Sequence, residues 1–177
     1  TPVRALMTDM SQPLGRTVGN SLEVCEAIEA LKGEGPEDLM EVTIELVTEM
    51  LIVAGESEGD REATRTRLRQ LIDDGEALEA FRTIVDAQDG DPGVCDDPES
   101  VLPLDADRAE FRADRDGVIG RMETEQIGLA SVELGAGRMT KEETIDPAVG
   151  LVFHAKTGDD VAEGETIAEV MYNDEAG

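Results

Sequence analysis

The stretch TDMSQPLGRTVGNSLEVCEAIEALKGEGPEDL, residues 8–39, specifies the first part of the fold. A Gln-Pro-Leu-Gly turn at residues 12–15 is followed by Asn20 and Ser21, residue types that commonly cap a helix N-terminus. Apolar side chains then recur with a helical spacing, and Gly33 is placed to end the helix. The stretch therefore predicts a turn that leads directly into an amphipathic helix.

Further helices are predicted in the first half of the chain. Pro36 is a favourable first-turn residue, and the apolar residues that follow it as far as Leu51 keep a helical period. Residues 61–74 and 76–87 are two more helical candidates, separated by a glycine. Near the start of the chain, residues 3–7 are predicted to form a strand. The first half is therefore expected to be mainly helical.

Residues 89–105, DGDPGVCDDPESVLPLD, concentrate Gly, Pro and Asp in a way that the interior of a helix or strand would not tolerate. We place a domain boundary in this segment. The first predicted domain covers residues 1–97 and the second covers residues 98–177. Short strands and turns are expected to dominate the second domain.

Strands and one helix are predicted beyond this boundary. Residues 111–115 and 118–122 flank an Asp-Gly pair, which is a strong signal for a β-hairpin. A short helix is expected at residues 124–133, and later strands at residues 148–155 and 166–172. A helical first part followed by a stranded second part predicts the α+β class.

The chain is strongly acidic. Its 177 residues include 42 Asp and Glu against 15 Lys and Arg, which gives a formal net charge of -27. Nucleic-acid binding through phosphate contacts is excluded, because it depends on clustered Lys and Arg. The acidic residues are spread along the chain, and their mutual repulsion is weakened by salt. We therefore hypothesise that the source organism is adapted to high salt.

Cysteine usage and hydropathy favour a reduced compartment. Cys25 and Cys95 are too few for a disulfide scaffold, and neither belongs to a CxxC motif. The sequence contains no recognisable signal peptide and no apolar run long enough to cross a bilayer. We therefore expect a cytoplasmic protein without a membrane partner.

Four segments together carry a family resemblance. They are the opening stretch at residues 8–39, GEALEAFRTIVDAQDGD at 75–91, DRDGVIGRMETEQIGLASVELGAGRMTKEETIDPAVGLV at 114–152 and KTGDDVAEGETI at 156–167. In these segments the chain resembles the pyrimidine-nucleoside phosphorylases, a family that includes thymidine phosphorylase. Because members of that family are much longer, the resemblance implies that the chain is a C-terminal fragment of one.

The resemblance gives the two predicted domains an identity. Residues 1–97 would be the mostly helical remainder of the phosphate-binding, glycosyltransferase-type α/β domain. Residues 98–177 would be the family's C-terminal domain, an α/β-hammerhead module that is similar to the barrel-sandwich fold of biotinyl and lipoyl carriers. The expected fold class therefore remains α+β.

The resemblance also implies a monovalent cation site, which is assigned to potassium in the family. Matched position by position, the ligands in this chain are the backbone carbonyls of Leu14 and Thr17 and the carboxylate of Glu26. Such oxygens suit a hard cation. Without the resemblance, the same residues are read as a turn and a capped helix with a solvated Glu26. The family's other ligands belong to a phosphate-binding loop that is not matched here, so potassium binding is expected to be weak or absent in this chain alone.

The activity implied by the resemblance is the reversible phosphorolysis of uridine or thymidine to the free base and a pentose 1-phosphate, by a cytosolic homodimer. The family's phosphate loop and base-binding set are not matched, so no catalytic or cofactor-binding residue is assigned and the chain alone is expected to be inactive.

His154 lies in an apolar strand and is expected to be packed or on the surface. The alternative is a non-catalytic, acidic, carrier-like interaction module. It would be unmodified, because no lysine follows Lys156.

Overall fold

The computed structural model describes residues 2–57 and 60–173, which combine α-helices with antiparallel sheets in an α+β fold. The chain divides into two compact units. The first consists of Thr1–Asp9 with Ala27–Pro98, and the second of Met10–Glu26 with Glu99–Gly177. The structure therefore groups the turn and the start of the first helix with the C-terminal half of the chain, which the sequence pattern did not indicate.

Six α-helices are formed by the described residues, and most were predicted from the sequence. They are α1 (Asn20–Leu31), α2 (Glu37–Ala54), α3 (Arg61–Asp73), α4 (Glu76–Ala87), α5 (Pro98–Val101) and α6 (Thr124–Glu133). The predicted helices at residues 61–74, 76–87 and 124–133 are confirmed, each to within one residue. A short 3₁₀ turn at Pro92–Cys95 and the four-residue α5 occupy the Gly-, Pro- and Asp-rich segment.

Local capping explains where the helices of the first unit begin and end. Asp60 accepts a hydrogen bond from the Ala63 N–H at 3.1 Å and so caps α3. Helix α2 follows Pro36, and its end is marked by Gly55, whose φ of 79° lies in the left-handed region. These are short-range signals, which is why the sequence alone was sufficient to predict them.

Packing in the first unit joins these helices to the segment that follows α4. Ile28, Ile44, Val94 and Cys95 are buried. Arg82 on α4 donates to both carboxylate oxygens of Asp96, at 2.7 and 2.9 Å, and to the Pro92 carbonyl at 2.8 Å. The hydrogen bond from Arg82 holds the pKa of Asp96 below its usual value. This guanidinium therefore attaches the 3₁₀ turn to α4.

Replacing Asp96 by asparagine is expected to destabilise the first unit at pH 7 but not at low pH. Because the pKa of Asp96 is lowered on folding, its contribution is complete above the usual aspartate pKa of about 3.9. It is lost as the pH falls through the lowered pKa of the folded state. Urea unfolding of wild type and Asp96→Asn between pH 7 and pH 2 measures this, with Asp86→Asn, an exposed carboxylate on α4, as the control. A stability difference that did not change with pH would contradict it.

The strand predicted at residues 3–7 is wrong. Residues 2–10 are irregular and exposed, with Val3 83% exposed. Arg4 is held by an ion pair with Glu49 of α2, at 2.9 Å. A strand needs a neighbour to satisfy its backbone hydrogen bonds. Among the described residues, no strand pairs with this segment.

Two antiparallel sheets form the second unit. The strands are β1 (Thr17–Val18), β2 (Asp107–Arg112), β3 (Gly117–Val118), β4 (Gly150–Phe153), β5 (Asp160–Val161) and β6 (Thr166–Tyr172). One sheet has the order β1-β4-β6-β2, and the other pairs β3 with β5. The buried side chains around them are Met122, Ala148, Val149, Leu151, Ala155, Ala168 and Met171. The predicted strand at 166–172 is confirmed, and the one at 148–155 is shorter than expected.

The predicted hairpin around Asp116 and Gly117 is also wrong. The strands on its two sides pair with different partners, because β2 pairs with β6 whereas β3 pairs with β5. The Asp116 carboxylate accepts a hydrogen bond from the Glu163 N–H at 2.8 Å, so it caps a distant turn instead of closing a local one. Turn propensity acts over a few residues, and here the long-range pairing of β6 overrides it.

Candidate functional site

The turn at residues 12–17 and the first turns of α1 form the candidate site. Glu26 on α1 accepts a hydrogen bond from the Arg16 N–H at 2.7 Å and from the Thr17 hydroxyl at 3.2 Å. Gly15 lies against this carboxylate, and a Cβ at that position would be 2.2 Å from Glu26 Oε2. Its φ of 73° is in the left-handed region, which favours glycine, and a larger residue would also displace the Glu26 carboxylate. The structure thus brings the Thr17 hydroxyl and the Glu26 carboxylate together, whereas the Thr17 group predicted as a ligand is its backbone carbonyl.

The Thr17 carbonyl is not used by the sheet. Thr17 lies opposite Val152, and the preceding Arg16 carbonyl accepts the Phe153 N–H at 2.7 Å. In an antiparallel pair such bonds alternate, so Thr17 is at a non-hydrogen-bonded position and its backbone groups point away from β4. Because β1 is an outer strand of its sheet, this carbonyl is directed toward the sheet edge.

Leu14, the third predicted ligand, lies in the turn between two buried residues. Its side chain is 49% exposed, whereas Pro13 and Gly15 on either side are buried. The carbonyls of these two neighbours both accept hydrogen bonds from Lys156 Nζ, at 2.8 Å each. The structure therefore places Leu14 beside a protein cation.

Sequence reasoning did not identify Lys156 as a site residue. Lys156 belongs to the connection between β4 and β5 and is only 9% exposed. The signal that could have revealed it is a lysine directly after the apolar run GLVFHA, in a chain with only three lysines. Lysine is seldom buried unless its charge is paired, so burial at this position indicates a specific set of partners.

Other polar contacts fasten the turn to the C-terminal segments of the second unit. The Arg16 guanidinium donates to the His154 carbonyl at 2.7 Å, and the Thr157 N–H donates to the Gln12 side chain at 3.1 Å. The His154 ring pairs with Glu169 at 2.8 Å on the exposed side of the sheet. His154 is therefore a surface histidine, one of the two outcomes expected from the sequence.

The loop that follows α6 is exposed at its tip. Arg138 and Lys141 lie in this exposed part. Glu143 accepts hydrogen bonds from the Met139 N–H at 2.7 Å and the Thr140 hydroxyl at 3.3 Å. The bond from the Met139 N–H lowers the pKa of Glu143. At its base, the loop is attached to α1 by the Asn20 amide, which donates to the Ala136 carbonyl at 2.8 Å.

The donors around Glu26 fit a monovalent cation by their chemistry. They are hard oxygens, namely the Glu26 carboxylate and the strand-edge carbonyl of Thr17, whose hydroxyl donates a hydrogen bond to that carboxylate. No group of three or more His, Cys, Asp and Glu side chains that could hold a metal is found within residues 2–57 and 60–173. Hard oxygen donors of this kind suit an alkali or alkaline-earth cation better than a soft transition metal.

Comparison with known proteins extends this description. The model of the pyrimidine nucleoside phosphorylase C-terminal domain matches residues 118–177. A pyrimidine-nucleoside phosphorylase of Staphylococcus haemolyticus (strain JCSC1435) is 45% identical over 171 residues, and one of Staphylococcus aureus (strain bovine RF122 / ET3-1) is 46% identical over 169 residues. These alignments cover 97% and 96% of this chain, which spans 39% of the length of each relative.

No helix in the described part of the chain is both long and apolar enough to span a membrane.

The aligned region includes nearly the whole chain, and the matched domain coincides with most of the β-rich part. Identity of about 45% over this length is far above what a shared fold alone requires. The chain therefore belongs to the pyrimidine-nucleoside phosphorylase family.

Proposed function

We propose that the chain acts as the C-terminal part of a pyrimidine-nucleoside phosphorylase. That enzyme would cleave uridine or thymidine reversibly with inorganic phosphate, giving the free base and a pentose 1-phosphate. The observation that carries this proposal is 45–46% identity to phosphorylases across 96–97% of the chain. As the family resemblance implies, the enzyme would be a cytoplasmic homodimer.

The contribution of this chain is a set of oxygen ligands for potassium. The carbonyls of Leu14 and Thr17 and the carboxylate of Glu26 would hold the ion, supported by the Glu26 bonds to the turn. A bound monovalent cation supplies positive charge next to an anionic phosphate. Glu26 also links the turn to α1, because it accepts hydrogen bonds from the Arg16 N–H and the Thr17 hydroxyl.

The carrier-like alternative is less well supported. A carrier domain displays its modified lysine at an exposed hairpin. Lys156, the last lysine of the sequence, is 9% exposed, and its ammonium group is bonded to two backbone carbonyls. This lysine is therefore not available for attachment of a biotinyl or lipoyl group.

Phosphate-dependent release of uracil or thymine tests the proposed activity. The full-length gene product is expected to release the base, whereas the 177-residue chain alone is expected to release none, because the family's phosphate loop is not matched in it. In the full-length protein, Glu26→Gln is expected to lower the rate at least about tenfold, because it removes the charged ligand of the cation, and loss of an outer-shell partner alone typically costs that much.

Glu41→Gln is the control, because Glu41 is an exposed glutamate on α2 and loses the same charge. Its rate should match that of wild type. Base release by the 177-residue chain itself would refute the proposed dependence on the missing part. A full-length protein inactive on every pyrimidine nucleoside would refute the function.

A further inference from the structure

Lys156 carries a buried charge that the proposed reaction does not use. An ammonium group removed from water needs oxygen partners, because an unpaired buried charge is strongly unfavourable. Lys156 has two such partners in the carbonyls of Pro13 and Gly15, each 2.8 Å from Nζ. Lys141, in contrast, lies exposed in the loop after α6. One of only three lysines in the sequence is thus placed inside a turn.

The backbone around Lys156 is fixed without the help of its side chain. The Lys156 N–H donates to Asp159 Oδ2 at 2.9 Å, and the Asp159 N–H donates back to the Lys156 carbonyl at 3.0 Å. The adjacent Thr157 N–H donates to the Gln12 side chain at 3.1 Å. The pairing of β1 with β4 also holds the segment before Lys156 against the segment that follows the turn. The ammonium group is therefore not needed merely to hold this connection against the turn.

What the ammonium group does control is the direction of individual peptide units in the turn. Lys156 binds the two carbonyls on either side of Leu14, and Glu26 binds the next part of the turn through the Thr17 hydroxyl. A cationic and an anionic side chain from two separate elements thus fix one short segment. With its neighbours fixed, the Leu14 peptide can turn only about the line that joins the Cα atoms of Leu14 and Gly15, because adjacent peptide units share their Cα atoms.

We infer that Lys156 is a positioning residue, which holds the turn so that the carbonyls of Leu14 and Thr17 and the Glu26 carboxylate bind a monovalent cation. The inference rests on the proposed function. It assigns no catalytic step to Lys156 and no contact with substrate. Cation affinity therefore depends on a residue more than a hundred positions away in sequence, in the connection between β4 and β5.

The test measures the potassium requirement of the full-length gene product carrying Lys156→Met. This change removes the charge but keeps a long, flexible side chain. KCl is titrated at constant ionic strength against choline chloride, and half-saturation is read from the thermal melting midpoint and from phosphorolysis. Half-saturating KCl is expected to rise at least about tenfold, because two charge-assisted hydrogen bonds are lost. Lys141→Met, with the same charge change at an exposed site, should leave it unchanged.

A purely structural role would give a different result. If Lys156→Met lowers the melting midpoint but leaves half-saturating KCl within about twofold of wild type, the inference is overturned. If Lys156→Met fails to fold, the half-saturating KCl is measured for Lys156→Arg instead. Its planar guanidinium cannot reproduce the geometry of an ammonium group, so a rise of about threefold is expected and an unchanged value overturns the inference. Absence of phosphorolysis would count against the proposed function, while the melting titration still reports on Lys156.

Discussion

Gly150→Ala is expected to lower the free energy of unfolding of the second unit by about 3 kcal/mol, the upper end of the usual cost of overpacking. A Cβ at Gly150 would lie 2.2 Å from the Val18 carbonyl oxygen and 3.0 Å from Gly19 Cα. Both are backbone atoms, so no side-chain rotation can relieve the clash. Relief requires separation of β1 from β4, and β1 carries Thr17 of the candidate site. Urea unfolding of the 177-residue chain, followed by circular dichroism, measures the loss.

Gly120→Ala is the matched control for this substitution. Gly120 is exposed, and a Cβ there would meet no heavy atom within 4 Å. Its unfolding curve should stay within about 0.5 kcal/mol of wild type, as for most surface substitutions. Equal stabilities for Gly150→Ala and wild type would show that β1 and β4 do not approach each other this closely in solution.

Raising KCl from 0.1 M to 1 M is expected to raise the melting midpoint of the chain by about 10 °C. The net charge of -27 is spread over the sequence, and the Debye length falls from about 10 Å to about 3 Å over this range. If screening relieves about 3 kcal/mol of repulsion, a shift of this size follows for a chain of this length.

The same titration near pH 4.1, the calculated isoelectric point, is the control, because little net charge remains to be screened. The rise in melting midpoint should be much smaller there. Repeating the titration with NaCl separates two effects: general screening raises the melting midpoint equally with both salts, whereas specific potassium binding raises it more with KCl. A midpoint that did not rise with either salt at pH 7 would count against the hypothesis of salt adaptation.

The candidate site was predicted only in part. Glu26 and Thr17, which lie on adjacent elements of one local stretch, are in contact through the Thr17 hydroxyl, whereas the family resemblance implies a role for the Thr17 carbonyl. Lys156 was missed, because its partners Pro13 and Gly15 are separated from it by more than 140 residues. Every residue has a backbone carbonyl, so the residue types in a turn do not reveal which carbonyl will accept a hydrogen bond from a distant side chain. The long-range pairing of β1 with β4 brings this lysine to the turn.

The sequence by itself determined the helices, the α+β class and the family. These properties depend on caps, apolar periodicity and motifs that lie within a few residues of one another. The tertiary structure alone decided that residues 3–7 form no strand, that the Asp116-Gly117 pair does not close a hairpin, and that Lys156 is buried. Each of these depends on which distant segment supplies the hydrogen-bond partner. A choice among distant partners is set by the packing of the whole unit, which no local pattern in the sequence encodes.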